Sequence, residues 1–131
     1  MGLKMKYERI VLIDDDADLV HVLTHRLANS GYVAEAFTDS REAVRFIRQA
    51  VPDLVIADIK MPGLNGFEVY DLIRKDVRTQ HIPIIMLTGV NKAKEQVVSI
   101  NEDHVYYVAK ADGTQALIKT VQNALDFGQD Q

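Results

Sequence analysis

Apolar and polar positions divide the chain into two alternating kinds of segment. Dense apolar runs stand at Ile10-Val11-Leu12-Ile13, at Leu54-Val55-Ile56-Ala57 and from Ile82 to Leu87, with weaker ones at Val33 to Phe37 and Val105 to Val108. Runs without polar alternation suit strands buried on both faces, as in a parallel sheet covered by helices. Between them the period becomes helical. Leu19, Leu23 and Leu27 recur at four-residue intervals with Val20 beside them, and Gly31 stands where a helix terminates. Asp39 followed by Glu42 has the spacing of a capping box and opens a helix that buries Val44 and Ile47. Phe67, Tyr70 and Ile73 or Arg74 mark a third helix after the Gly63-Leu64-Asn65-Gly66 turn. Ala93 to Ile100 gives a fourth, with Val97 and Ile100 inward. Leu117, Val121, Ala124 and Leu125 stripe a fifth, which Gly128 ends.

Five strands alternating with five helices predict right-handed βαβ crossovers and a doubly wound α/β domain. The pattern fills residues 1–131 as a single domain, with a core from about residue 7 to 127 and a polar tail after Phe127. In such sheets ligands bind beyond the carboxyl ends of the strands. Chemistry is therefore expected there.

Composition narrows the function classes. With 131 residues, 47% of them hydrophobic, the chain has the size and apolar content of one ordinary domain. A formal net charge of -4 argues against direct nucleic-acid binding, which favours a basic surface. The absence of cysteine excludes disulfides, thiolate catalysis and Cys-ligated zinc. No apolar run reaches bilayer length. Met-Gly-Leu-Lys-Met-Lys lacks the apolar stretch of a signal peptide, and Lys6 stands where a myristoylation motif wants Ser or Thr. A cytoplasmic protein with no membrane association is expected. His21 and His25 lie four apart with no third ligand in view, as on a solvated helix face.

The residues that follow the apolar runs form a short polar set. Asp14, Asp15 and Asp16 follow the first, Asp58 the third, Thr88 the fourth and Lys110 the fifth. Gathered at one sheet edge, the carboxylates repel, and a cation is needed to compensate them. Mg²⁺ suits that role, because it takes hard oxygen ligands and keeps open positions for phosphoryl oxygens. A lysine would neutralise another oxygen, a threonine would donate a hydroxyl, and a carboxylate can attack phosphorus. Each residue alone has a plainer use: the Asp triplet as an acidic helix cap, Thr88 as a strand-end residue, Lys110 as a surface lysine, Tyr107 as a core aromatic. It is their joint placement that points to phosphoryl transfer.

The segments Ile10 to Asp16 and Pro52-Asp53-Leu54-Val55-Ile56-Ala57-Asp58-Ile59-Lys60-Met61-Pro62-Gly63-Leu64-Asn65-Gly66 resemble bacterial two-component response-regulator receiver domains, the CheY-like family. Ile84-Ile85-Met86-Leu87-Thr88-Gly89 and Tyr107-Val108-Ala109-Lys110 extend the likeness, which runs from about Arg9 to Leu125. The resemblance implies a flavodoxin-like strand order 2-1-3-4-5 with helices on both faces. It implies a phosphorylation-dependent switch, with Asp58 as phosphoacceptor and phosphohistidine of a histidine kinase or histidine phosphotransfer protein as donor. Mg²⁺ would be held by Asp15, Asp58 and the backbone carbonyl of Lys60, with Asp14 acting through water. Thr88 and Lys110 would sense the phosphoryl group, and Tyr107 would be the switch aromatic. A downstream protein would read the face made by the fourth predicted helix, the fifth strand and the fifth helix; such domains also form homodimers. The switch would catalyse its own phosphorylation and dephosphorylation without being a conventional enzyme.

The chain departs from the family pattern at three places. Ala111 follows Lys110 where the family has Pro after a cis peptide, and a cis bond before a non-proline residue costs roughly 2.5–4 kcal/mol. Glu102-Asp103-His104 replaces a Gly-Ala pair. Lys60 puts a cation two residues after Asp58, where phosphate lifetime is expected to depend on it. Two other functions compete with the switch: a haloacid-dehalogenase-type phosphatase, whose Asp-x-Asp motif Asp14-Asp15-Asp16 satisfies, and a receiver-like interaction module that takes no phosphate. Asp58 separates the first from a receiver, because that phosphatase has no role for it.

Overall fold

The computed structural model describes residues 7–89 and 104–129, with side chains through residue 126. Five strands, β1 (Arg9–Ile13), β2 (Val33–Phe37), β3 (Leu54–Asp58), β4 (Ile84–Thr88) and β5 (Val105–Ala109), form one sheet in the order β2-β1-β3-β4-β5. Every pairing is parallel. The expected order 2-1-3-4-5 is therefore the observed one. All five residues of β3 and of β4 are buried, whereas β2, at one edge, alternates between exposed and half-buried positions.

Four helices are described: α1 (Ala17–Asn29), α2 (Ser40–Ala50), α3 (Gly66–Lys75) and α4 (Gly113–Gln129), the last preceded by a 3-10 turn over Lys110–Asp112. Strand residues alternate between two apolar cores. Ile10, Leu12, Ile56, Ile85, Leu87 and Val108 pack with α1 and α4. Val11, Ile13, Val55, Ala57, Ile84 and Met86 pack with α2 and α3 on the other face. The helix predicted over Ala93 to Ile100 lies outside the described residues, as do Glu102 and Asp103.

Local signals end the helices where expected. Asp16 caps α1 by accepting from the Leu19 N–H, and the helix closes in a Schellman motif: Gly31, at φ 94°, donates to the Ala28 carbonyl and Tyr32 to that of Leu27. Asp39 caps α2, accepting from Arg41 and Glu42. A full reciprocal capping box forms on α3, where Asn65 and Glu68 each satisfy the other's backbone N–H.

Four readings from sequence need correction. β3 and β4 run one residue further than their apolar patterns, so Asp58 and Thr88 are the last residues of their strands. Ile82 is buried but precedes β4. On α3 the fully buried positions are Gly66, Val69 and Ile73, with Phe67 and Tyr70 only packed at the margin. Gly66 stands inward because the helix start lies against the sheet: a Cβ on it would stand 2.7 Å from the Asp58 carbonyl oxygen. Finally, α4 continues past Gly128 to Gln129, two residues beyond the expected core limit.

Candidate functional site

The topology brings the carboxyl ends of β1, β3, β4 and β5 together, and with them Asp14, Asp58, Thr88 and Lys110. Asp14 directly follows β1 and is fully buried; Asp58 and Thr88 end adjacent strands at 6% and 8% exposure. Lys110 leads out of β5 into the 3-10 turn. Its Nζ stands 2.9 Å from Asp14 Oδ2 and 3.3 Å from Asp58 Oδ2. A single ammonium thus serves two buried carboxylates.

Backbone groups hold these carboxylates in place. Asp14 Oδ1 accepts from the Asp16 N–H at 3.0 Å, and Asp58 Oδ1 accepts from the Lys60 N–H at 3.4 Å. The Asp14 N–H itself donates to the Phe37 carbonyl, continuing the sheet by one step. The contiguous acids therefore separate by role: Asp14 points into the sheet edge, Asp15 stays exposed, and Asp16 is used as the α1 cap. One oxygen each from Asp14, Asp15 and Asp58 lie within 4.8 Å of one another.

The electrostatics follow from that geometry. Burial raises the Asp58 carboxyl above its ordinary value and the Asp14 charge raises it further, while the Lys110 ammonium and the Lys60 N–H pull it back only in part. For Lys110, burial acts to lower the ammonium, but Asp14 and Asp58 outweigh it and the group is raised overall. The cluster is short of positive charge. Its donors are hard anionic oxygens in number and spacing that fit a small divalent cation such as Mg²⁺.

Tyr107 lies on β5 against the α2–α3 core, and its buried hydroxyl has no hydrogen-bond partner among the described residues. Burial first, and the Tyr70 hydroxyl second, raise its pKa. The Lys110–Ala111 peptide is trans, as are all described peptide bonds. The Lys60 side chain is exposed.

The structure thus brings together Asp14, Asp15, Asp58 and Lys110, with Thr88 on the adjacent strand, while Asp16 serves as the α1 cap. It also shows what the sequence reading did not single out. Gly66 is required by the close approach to Asp58. Ser40, 2% exposed at the start of α2, accepts the Leu64 N–H at 2.9 Å, and so ties the loop after Asp58 to another helix.

Comparison with known proteins agrees with this architecture. A family model described as the response regulator receiver domain matches residues 10–122. The DNA-binding response regulator MtrA of Mycobacterium tuberculosis is 31% identical over 124 residues, covering 95% of this chain and 53% of MtrA. Protein PilH of Pseudomonas aeruginosa is 32% identical over 117 residues, covering 89% of this chain and 97% of PilH. A CheY-like response regulator receiver domain protein from Methanospirillum hungatei superposes with a TM-score of 0.85 at 25% identity, covering 95% of this chain and 98% of that one. The chain spans about half the length of MtrA.

Proposed function

The chain belongs to the response regulator receiver domain family, the phosphorylation-dependent switches of two-component signalling, and we propose that Asp58 is its phosphoacceptor. The observation that carries this reading is the shared ammonium: Lys110 lies between Asp14 and Asp58, and leaves their combined charge uncompensated. Asp15, Asp58 and the Lys60 carbonyl are the proposed direct ligands of Mg²⁺, with Asp14 acting through water. When bound, the ion neutralises carboxylate charge and holds phosphoryl oxygens.

The donor is the phosphohistidine of a histidine kinase or phosphotransfer protein. An Asp58 oxygen attacks phosphorus in line as the P–N bond breaks, and the bond's electron pair returns to the imidazole nitrogen. Lys110 positions Asp58 and then takes a phosphoryl oxygen, and Thr88 donates its hydroxyl to another. Water later hydrolyses the acyl phosphate and restores the carboxylate, so the domain catalyses its own resetting without turning over a separate substrate. The exposed Lys60 ammonium bears on that lifetime.

The conformational output is proposed to pass through Thr88 to Tyr107, whose buried hydroxyl, on the edge strand, has no hydrogen-bond partner among the described residues. A shift there biases a two-state equilibrium of the face that includes β5 and α4, with the fourth helix expected from the sequence, which lies outside the described residues; a downstream protein or a second copy would read that face. DNA binding, which the name of MtrA states for that protein, is not proposed for the aligned half, given a net charge of -4 here. The proposed location is the cytoplasm, and among the described residues no helix is long and apolar enough to cross a membrane.

The phosphatase alternative has less support. Its nucleophile would be Asp14, fully buried and held by Lys110 and the Asp16 N–H, and its second acid would be Asp16, which is used as a helix cap. Intact mass after treatment with acetyl phosphate decides between them. The proposal expects a Mg²⁺-dependent gain of one phosphoryl group that Asp58→Ala abolishes. A gain that persists in Asp58→Ala and disappears in Asp14→Ala would overturn it.

A further inference from the structure

The loop from Ile59 to Asn65 carries Lys60, and it is closed on itself by few bonds. The Gly66 N–H donates to the Ile59 carbonyl at 2.9 Å, which draws the two ends together. Within the loop, the Lys60 N–H turns back to Asp58 Oδ1 and the Asn65 N–H to Glu68 Oε1, both partners adjoining the loop in sequence. The Leu64 N–H is different. It donates to Ser40 Oγ at 2.9 Å, across 24 residues of sequence, and Ser40 belongs to α2.

The contact is built, not incidental. Ser40 is 2% exposed and is the first residue of α2, fixed there by the Asp39 cap that precedes it. Gly63, at φ 78°, packs against the same hydroxyl: a Cβ there would stand 3.3 Å from Ser40 Oγ and 3.8 Å from Arg41 Nε. The far side of the loop is therefore seated on the start of α2, while its near side begins at Lys60, whose N–H donates to Asp58 Oδ1.

We infer that Ser40 is a positioning residue for the cation site: its hydroxyl fixes the loop so that the Lys60 carbonyl is presented toward Asp58 and Asp15. Ser40 touches neither phosphoryl group nor ion and acts through the loop alone. The inference rests on the proposed metal role of the Lys60 carbonyl. Outer partners that orient a ligand typically change metal affinity by about 10- to 100-fold when removed.

Calorimetric titration of MgCl₂ into the phosphate-free protein at pH 7 tests it, with Ser40→Ala, Ser40→Thr and Thr79→Ala as variants. Thr79→Ala removes a different buried hydroxyl bond, to the Ile73 carbonyl, far from the loop, and controls for a general loss of stability. The expected result is a Mg²⁺ dissociation constant raised about tenfold in Ser40→Ala, and unchanged in Thr79→Ala. Ser40→Thr, which keeps the hydroxyl, restores the wild-type value. Amide exchange reads the tether without relying on the ion: Leu64 is protected in the wild type and exchanges roughly five- to tenfold faster in Ser40→Ala. Equal Mg²⁺ affinity in wild type and Ser40→Ala, or an unprotected Leu64 amide in the wild type, overturns the inference. A wild type that binds no Mg²⁺ overturns the metal reading instead, leaving Leu64 protection to report on the tether.

Discussion

The two ends of the same sheet treat buried polar groups in opposite ways. At the amino ends of the strands several polar groups are matched by close partners. Asp53 Oδ2 accepts the Arg9 N–H at 2.8 Å, and the Arg74 guanidinium reaches from α3 to the carbonyls of Ile82 and His104 at 2.7 and 3.3 Å. Thr79, fully buried, donates to the Ile73 carbonyl at 2.8 Å. At the carboxyl ends two buried carboxylates share one ammonium. One end is wired for stability; the other keeps at pH 7 an electrostatic deficit that an added cation would remove. Removing a carboxylate at the carboxyl ends should therefore stabilise the fold, whereas removing a polar group at the amino ends, or the ammonium at the carboxyl ends, should destabilise it.

The largest effect is expected from Lys110→Ala. It leaves Asp14 and Asp58 buried without their cation, and without Mg²⁺ should cost about 3 kcal/mol by denaturant unfolding. A loss near zero would mean the carboxylates are solvated and the deficit is illusory. Next comes Arg74→Ala at the opposite end, which takes the Arg74 donor from the Ile82 carbonyl, leaves that of His104 with the Ile84 N–H, and removes a guanidinium 5.0 Å from the centre of the Tyr70 ring. A destabilisation of about 2 kcal/mol is expected.

Asp58→Asn should go the other way and stabilise the apoprotein by about 1 kcal/mol at pH 7. Its sign follows from linkage. Because the folded pKa of Asp58 is raised, chiefly by burial and then by Asp14, its folded form binds protons more tightly than the unfolded chain. That contribution is fully present below the ordinary aspartate pKa and is lost as pH rises through the raised value. The advantage of Asp58→Asn over wild type should thus close as pH falls toward about 4. A gap independent of pH would point to packing instead of charge.

The smallest effect concerns Val51, which ends α2 with φ 48°, a left-handed conformation that a β-branched residue resists. Val51→Gly relieves it near the amino end of β3. A gain of about 0.5 kcal/mol is expected, small because glycine loses more entropy on folding. A loss would show that the half-exposed valine side chain contributes more by packing.

Much of this contrast is legible in the sequence, and the rest is hidden for physical reasons. β1, β3 and β4 show themselves because burial on both faces leaves unbroken apolar runs, whereas β2 at the edge gives a mixed signal. The inward face of α3 misleads because Phe67 and Tyr70 dominate its period, yet contact with the sheet backbone demands Gly66. The site residues follow from their place after strands. Which of three consecutive aspartates is buried does not, because that depends on the turn by which the chain leaves β1 and enters α1. Ser40 gives no sign of its role: a serine opening a helix is common, and its partner lies 24 residues away.

The account stands most directly on whether a divalent cation repairs the deficit at the carboxyl ends. Thermal unfolding at pH 7, with EDTA and then with saturating MgCl₂, measures it in wild type and Asp58→Asn. At a hundredfold excess over its dissociation constant the ion should stabilise the wild type by about 2.7 kcal/mol. Asp58→Asn, already relieved of the repulsion and lacking a ligand, should gain much less. Equal gains in both proteins, or none in the wild type, would contradict the claim that Asp58 sits in a cluster built to be completed by a cation.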